Sequence, residues 1–334
     1  MIERQKQIKS ICDTFLNAKK IAITTHIKPD GDAIGSEIGL GIFLKSLGIE
    51  VRIINDNPAT ENYNFLLKSF ETEVYNKTSH SNFLQSCDAI AVLDANRLER
   101  FPSLIDDIKK SNAKIICIDH HTEPEMFYSI SLIDEMSAST GELIFEIVSE
   151  IDKTKITKEI ATALYTAIMT DTGSFRFGST SDKTHKITSE LISIGAVPNE
   201  IYQNIYEQES IEKMQLISRA LSSIEIAHEG KLSTMELLKK DFSETKTNEQ
   251  DVENIINFGL TLKKVILTIL FTELDGRIKI GFRSKGSMPV NLFAKEFGGG
   301  GHLNAASATV LNGKIDEVKQ TVLERVSFYL NNIN

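Results

Sequence analysis

Short apolar runs recur through the first half of the chain at 20–24, 51–54, 89–93 and 114–118, and the stretches between them carry helical periodicity. This alternation is what most constrains the fold. Apolar runs this short, separated by helix-length segments, are β-α-β units, and such units build a parallel sheet with helices against its faces. Between the first two runs, Ile34, Ile38 and Ile42 recur every four residues on one helical face, and Gly35 and Gly39 beside them permit close approach of a neighbouring element. A further helix is expected over 157–169, with Ile160, Leu164 and Ile168 on its inner face, ending just before Asp171-Thr172-Gly173.

From 182 to 219 the pattern stays helical and mixed in charge, and beyond it the character changes. Strands are expected at 223–226, 231–237, 265–270 and 277–282, with Asp275-Gly276 as a hairpin turn between the last two. A helix at 290–297, the run Gly298, Gly299, Gly300, Gly301, a strand at 305–310 and a closing helix at 314–330 complete a smaller α+β domain. The 334 residues suffice for two domains at roughly 100–200 residues each.

Charge and composition narrow the function. With 37 Lys+Arg against 46 Asp+Glu, the formal net charge is −9, a poor fit to a protein that coats long duplexes. No apolar run approaches the ~20 residues of a membrane helix, and the N-terminal 16 residues are charged and amphipathic without a signal core. Cys12, Cys87 and Cys117 are odd in number and far apart, which fits a reducing cytoplasm. The expectation is a cytoplasmic chain with no membrane partner; if its ligand is a nucleotide, that ligand is small or gripped locally.

Carboxylates and imidazoles gather where the strands are expected to end. His26, Asp30 and Asp32 follow the first run on a turn shaped by Pro29 and Gly31; Asp94 follows the third; Asp119-His120-His121 ends the fourth; Asp171 follows the helix. Ligands of open α/β sheets bind at the carboxyl ends of strands. Taken singly, Asp30 or Asp32 could cap the next helix, and Asp94 could be a turn residue. Adjacent histidines on extended chain point to opposite sides, so His120 and His121 cannot both be core residues. Taken together, His26, Asp30, Asp32, Asp94, Asp119, His120, His121 and Asp171 fall on one edge of one sheet. That set suffices for two hard cations, with Mn²⁺ favoured and Mg²⁺ or Co²⁺ as substitutes. Two such cations clamp a phosphoryl group and activate water, so the reaction class is phosphoester hydrolysis.

The motifs His26-x-x-x-Asp30-Gly-Asp32-Ala33-Ile34-Gly35-Ser36, Asp94, Asp119-His120-His121 and Asp171-Thr172-Gly173 resemble, in order and spacing, the DHH phosphoesterase family. The segment Phe297-Gly298-Gly299-Gly300-Gly301-His302 is similar to the signature of the DHH-associated nucleotide-binding domain in its oligoribonuclease/pAp-phosphatase (NrnA-type) branch. The resemblance implies a catalytic domain at 1–185, a helical linker at 186–219 and a substrate-binding domain at 220–334, with the active cleft between the domains. It implies that His26, Asp30 and Asp94 hold one Mn²⁺ and that Asp32, Asp94, His120 and Asp171 hold the other. His121 then faces the scissile phosphate as a donor, with Asp119 orienting the histidine pair. Arg283, Ser284, the four glycines and His302 would take the nucleotide. The family usually has Gly where Ser307 stands, and often an acidic residue near Pro289.

The implied activity is Mn²⁺-dependent hydrolysis of very short RNA and of 3′-phosphoadenosine 5′-phosphate (pAp), with cyclic di-AMP or its linear product pApA as the alternative within the family. A homodimer is compatible with it. RecJ-type exonucleases are longer, family II pyrophosphatases lack the glycine run, and a non-catalytic nucleotide sensor would be expected to have lost a metal ligand. In Ser174-Phe175-Arg176-Phe177, alternation would send Arg176 one way and both phenylalanines the other, which reads as core packing of the pair ahead of the alternative, base stacking. Arg97 and Arg100 read as solvated charges, and His80, His185 and His228 as surface or capping residues.

Overall fold

In the computed structural model, which describes residues 2–331, the four apolar runs of the first half are the inner strands of one six-stranded parallel sheet. Its strands are β1 (Lys20–Thr24), β2 (Glu50–Asn55), β3 (Thr72–Val74), β4 (Ala89–Leu93), β5 (Lys114–Asp119) and β6 (Ile130–Ile133), in the order β3-β2-β1-β4-β5-β6. The edge strands β3 and β6 were not expected; both are short and largely part-exposed, so neither carries an apolar run.

Helices cover both faces: α1 (Ile2–Asn17), α2 (Gly31–Ser46), α3 (Asn64–Leu67), α4 (Lys77–Ser86), α5 (Ile105–Lys110), α6 (Thr140–Asp152), α7 (Lys158–Asp171), α8 (Asp182–Ile194) and α9 (Pro198–Tyr206). Alternate strand residues supply the two cores. Ile21, Ile23, Ala91 and Leu93 join α1, α2, α6 and α7, whereas Ala22, Ile90 and Val92 join α4 and α5. That is why these runs are continuously apolar rather than alternating.

The contact of α2 with α7 positions the site, because α2 begins just past Asp30 and α7 ends at Asp171. A Cβ on Gly35 would lie 2.4 Å from the Ala163 carbonyl oxygen and 2.8 Å from the Ala167 nitrogen, and one on Gly39 would lie 2.7 Å from Leu164 Cδ2. Gly35→Ala gains about 1 kcal/mol of helix propensity but overpacks against backbone, at a cost of about 1–3 kcal/mol. The net expectation is a lower thermal midpoint by a few degrees, and an unchanged or raised midpoint would refute the close packing.

The chain divides into two compact units between Gln208 and Glu209. The second holds α10 (Ile211–Ser222), β7 (Glu225–Ala227), β8 (Leu232–Leu237), α11 (Lys239–Thr245), α12 (Asn257–Leu260), β9 (Leu267–Leu274), β10 (Arg277–Ser284), α13 (Val290–Glu296), β11 (Gly300–His302), β12 (Ala305–Leu311) and α14 (Ile315–Asn331). Its sheet runs β11-β12-β10-β9-β8-β7, with β8 and β9 parallel and every other pair antiparallel. Asp275-Gly276 forms the β9–β10 turn, with Gly276 at φ +70°. The segment 186–219 is shared between cores: Ile187, Leu191, Ile201 and Ile205 pack in the first unit, and Leu216 and Ile217 in the second. Gly300, Gly301 and His302 pair with β12 as an edge strand rather than forming an open loop.

Candidate metal centre

The strand order reverses between β1 and β4: the chain steps outward through β2 and β3 on one side and through β5 and β6 on the other. Loops diverge at such a point and leave a crevice outside the carboxyl ends of the strands. His26, Asp32, Asp94 and Asp119 converge there at 4%, 1%, 2% and 0% exposure. Ionisable groups this buried need partners.

Two clusters share one residue. His26 Nε2 lies 3.4 Å from Asp94 Oδ2 and 3.9 Å from Asp30 Oδ1. His120 Nε2 lies 3.6 Å from Asp94 Oδ1, 3.6 Å from Asp32 Oδ2 and 3.4 Å from Asp171 Oδ2. Asp94 therefore turns one oxygen to each imidazole. The far ring nitrogens sit against carbonyls, His26 Nδ1 at 2.8 Å from Ile27 O and His120 Nδ1 at 3.3 Å from Ser137 O, which leaves each Nε2 to face carboxylates.

This donor set fits divalent cations. Ligand atoms about 2.0–2.2 Å from a shared ion lie about 3.0–3.5 Å apart, close to the separations seen here. His120 Nε2 and Asp119 Oδ2 are buried without a hydrogen-bond partner among the described residues. Oxygen and imidazole donors without thiolate suit Mn²⁺ or Mg²⁺. Cys12, Cys87 and Cys117 are buried, and burial pushes the Cys12 and Cys87 thiols up to about 11 and about 12.

The surrounding backbone holds the carboxylates in place. Asp32 Oδ2 accepts from Thr140 N (2.7 Å), and its Oδ1 accepts from Gly141 N (2.9 Å) and Ser36 Oγ (3.2 Å). Thr140 Oγ1 donates to Asp94 Oδ1 at 3.0 Å. The N-terminus of α6 is thus aimed at both carboxylates. Asp94 has φ +55°, a left-handed conformation at the strand end. Asp30 also caps α2, its Oδ1 accepting from Asp32 N and Ala33 N, so the capping role and a place beside His26 coexist in one side chain. Asp119 Oδ1 takes the N–H groups of His120 (2.7 Å) and His121 (3.2 Å) and His121 Nδ1 (2.8 Å).

Neighbouring carboxyls are driven apart in acidity. Burial, together with the charges of Asp94, Asp171 and Asp30, pushes Asp32 well above the usual range. Burial raises Asp171 to about 6. For Asp94, burial is outweighed by the His26 hydrogen bond and the nearby imidazoles, which hold it below the usual range. The Asp119 hydrogen bond raises His121 to about 9. Such divergence among touching groups is a mark of functional sites.

Thr140 and Asn96 escaped the sequence reading, and Ser36 stood in a motif there without a role. Asn96 is buried and donates to His121 O (2.9 Å) and Thr122 O (3.4 Å), tying down the loop that follows the histidines. The Ser139-to-Glu142 spacing marks a helix start, but nothing in it says where that helix points. Arg97 pairs with Glu123 at 2.6 Å on the surface. His80 is buried rather than at the surface, accepting from Asn76 N at 2.8 Å where that chain enters α4.

In the second unit, Arg283, Ala305 and His302 lie in one register row across β10, β12 and β11, so all three fall on one face of the sheet. Gly281, Ser307 and Gly300 form the next row on that face. Arg283 is half-buried, and desolvation lowers its guanidinium pKa. Ser284 points the other way, donating to Met288 O (2.7 Å) and accepting from Asn304 Nδ2 (2.9 Å). The four glycines differ in purpose. A Cβ on Gly299 would come 2.1 Å from Ser307 O and one on Gly301 2.4 Å from Ala305 O, whereas Gly298 supplies φ +71° and Gly300 meets nothing.

Residues 20–168 match the family described as DHH family, N-terminal domain, and residues 232–328 match the DHHA1 domain. The chain is 28% identical over 306 residues to a bifunctional oligoribonuclease and PAP phosphatase NrnA of Thermus thermophilus, covering 92% of this chain and 89% of the relative. The Bacillus subtilis protein of the same name is 29% identical, covering 87% and 89%. Among solved structures, an exopolyphosphatase-related protein from Bacteroides fragilis superimposes with a TM-score of 0.88 at 32% identity, covering 98% of both chains.

Proposed function

The chain belongs to the DHH family and is a phosphoester-cleaving hydrolase, and we propose that it removes nucleotides from very short RNA and dephosphorylates pAp with the help of two divalent cations, manganese foremost. The observation that carries this reading is the pair of clusters, His26/Asp30/Asp94 and Asp32/His120/Asp171, joined through the two oxygens of Asp94. These residues would hold the cations, which when bound supply Lewis-acid activation of the phosphoryl group and of attacking water.

The remaining steps belong to the chain's own side chains. His121, with Nδ1 held by Asp119 and its side chain 54% exposed, offers Nε2 as a donor to a phosphate oxygen. The Asp119 hydrogen bond raises its pKa and so favours the protonated ring. Asp119 spends one oxygen on three donors and thereby fixes the direction of both histidines. In the second unit, Arg283 and His302 flank small residues that leave room for a nucleotide to lie against the backbone, and their cationic and imidazole groups suit its phosphate. Ser284 is left with a structural role. No helix of the described residues is long and apolar enough to cross a membrane.

The test is kcat/KM with Mn²⁺ for pAp, a five-nucleotide RNA, pApA and cyclic di-AMP. The RNA and pAp are expected to lead. A preference of more than about tenfold for cyclic di-AMP or pApA would replace the proposal with that alternative. His302→Ala is expected to lower kcat/KM on nucleotides about tenfold to a hundredfold, the loss of one hydrogen bond to a charged group, with Mn²⁺ binding intact. Loss of bound Mn²⁺ in that variant would refute the nucleotide role.

A further inference from the structure

The segment after Asp171 does not pack as the alternation of its sequence suggests. Phe175 turns inward, with its ring 5.8 Å from that of Tyr165 and 5.5 Å from that of His185. Phe177 turns outward and is 56% exposed. Gly173, Ser174 and Phe175 are successively left-handed, at φ +55°, +60° and +65°. Non-glycine residues hold such angles only where surrounding bonds impose them. Here Thr172 O accepts from both Arg176 N and Phe177 N at 3.0 Å, Ser174 N donates to Met169 O at 2.8 Å, and Arg176 Nε donates to Gly173 O at 2.7 Å. The Phe177 ring lies across Gly173, where a Cβ would come 2.5 Å from its Cζ.

Two further exposed rings belong to residues near the same turn. Tyr206 of α9 lies close to Ser174 and within the field of Arg176. Its ring centroid is 4.9 Å from that of Tyr202, and the two tyrosines are 42% and 40% exposed. Arg176 is exposed, with its Nε on Gly173 O and no carboxylate partner among the described residues. Gly173 is two residues past a proposed metal ligand, so its Cα is at most about 7.6 Å from that of Asp171.

A rigid turn that holds an aromatic ring in water beside a phosphoester-cleaving centre, with two tyrosines near the turn and an arginine free of any carboxylate, has the composition of a base-stacking platform. We infer that Phe177, with Tyr202, Tyr206 and Arg176, forms a subsite in the first unit that stacks a second base of a single-stranded oligonucleotide, distinct from the nucleotide assigned to Arg283 and His302. This assignment rests on the oligonucleotide reading proposed above. It predicts that length preference is set here and that pAp, with one base, makes little use of the platform.

The experiment compares kcat/KM for a five-nucleotide RNA and for pAp in the native protein and in Phe177→Ala, Phe177→Trp and Phe177→Leu. Phe177→Ala should lower the RNA-to-pAp ratio roughly tenfold; Trp should restore it, and Leu, apolar but without a π face, should not. An unchanged ratio in Phe177→Ala, or equal rescue by Leu and Trp, overturns the subsite. A changed oligomeric state in solution with an unchanged ratio does so too, and assigns this face to a second copy of the chain. A second measurement separates this inference from the proposed activity: RNA carrying 2-aminopurine is bound in EDTA, where cleavage is blocked. Quenching that Phe177→Ala removes supports the platform even if no RNA is turned over, whereas absence of quenching in the native protein overturns it even if RNA is cleaved.

Discussion

Asp94→Asn is expected to lower kcat by about a thousandfold or more on RNA, pAp and any other phosphoester, the equivalent of about 4 kcal/mol or more of lost transition-state stabilisation. The size follows from its position. Asp94 alone gives one oxygen to each cluster, Oδ2 at 3.4 Å from His26 Nε2 and Oδ1 at 3.6 Å from His120 Nε2, so its loss damages both cation sites at once. Asn is the informative replacement because it tolerates the φ of +55°, which Ala adopts less readily, and can keep the hydrogen bond from Thr140 Oγ1. Asp30→Asn provides the scale. Asp30 touches one cluster only and its side chain is 59% exposed, so its loss should cost about tenfold to a hundredfold. The measurement is kcat at saturating Mn²⁺ with bound Mn²⁺ counted in parallel. An Asp94→Asn enzyme as active as Asp30→Asn would refute the shared-ligand geometry.

The inner strands and the eight clustered side chains were legible because two independent patterns coincide. A strand buried on both faces must be a continuous apolar run, and a carboxylate or imidazole directly after such a run lands at the sheet's carboxyl edge. Asp119-His120-His121 after 114–118 is the clearest case. What was not legible depends on direction rather than on identity. Edge strands β3 and β6 expose much of their surface, so their three and four residues have no distinguishing pattern. Thr140 reaches Asp32 and Asp94 only because α6 points its first turn at them, a tertiary fact. Phe175 and Phe177 alternate in sequence, but three left-handed residues replace the strand that alternation presumes, and the two rings part company. In the glycine run, composition suggests flexibility, whereas Gly299 and Gly301 are there because β12 leaves no space for a Cβ.

Asp171→Asn is expected to separate stability from activity in one substitution. Burial raises the Asp171 carboxyl to about 6, against an ordinary value near 3.8 in the unfolded chain. Without metal, the folded protein therefore binds more protons than the unfolded one between those values, and its stability falls as pH rises from about 4 to about 7. Asn carries no charge and removes that slope. The metal-free variant should match the native protein below about pH 4 and exceed it by about 1 kcal/mol above pH 7, a figure discounted because the side chain is 33% exposed. That corresponds to a thermal midpoint about 2–4 °C higher for a unit of this size. Mn²⁺ should reverse the order, because the carboxylate repulsion that destabilises the metal-free site is what a cation relieves. The native protein should then melt higher and hydrolyse phosphoesters, while the variant loses about a hundredfold or more in kcat. A metal-free variant less stable than the native protein at pH 8 would mean that Asp171 is held by favourable contacts rather than strained by its neighbours, and the cation reading of the Asp32/His120/Asp171 cluster would lose its physical basis.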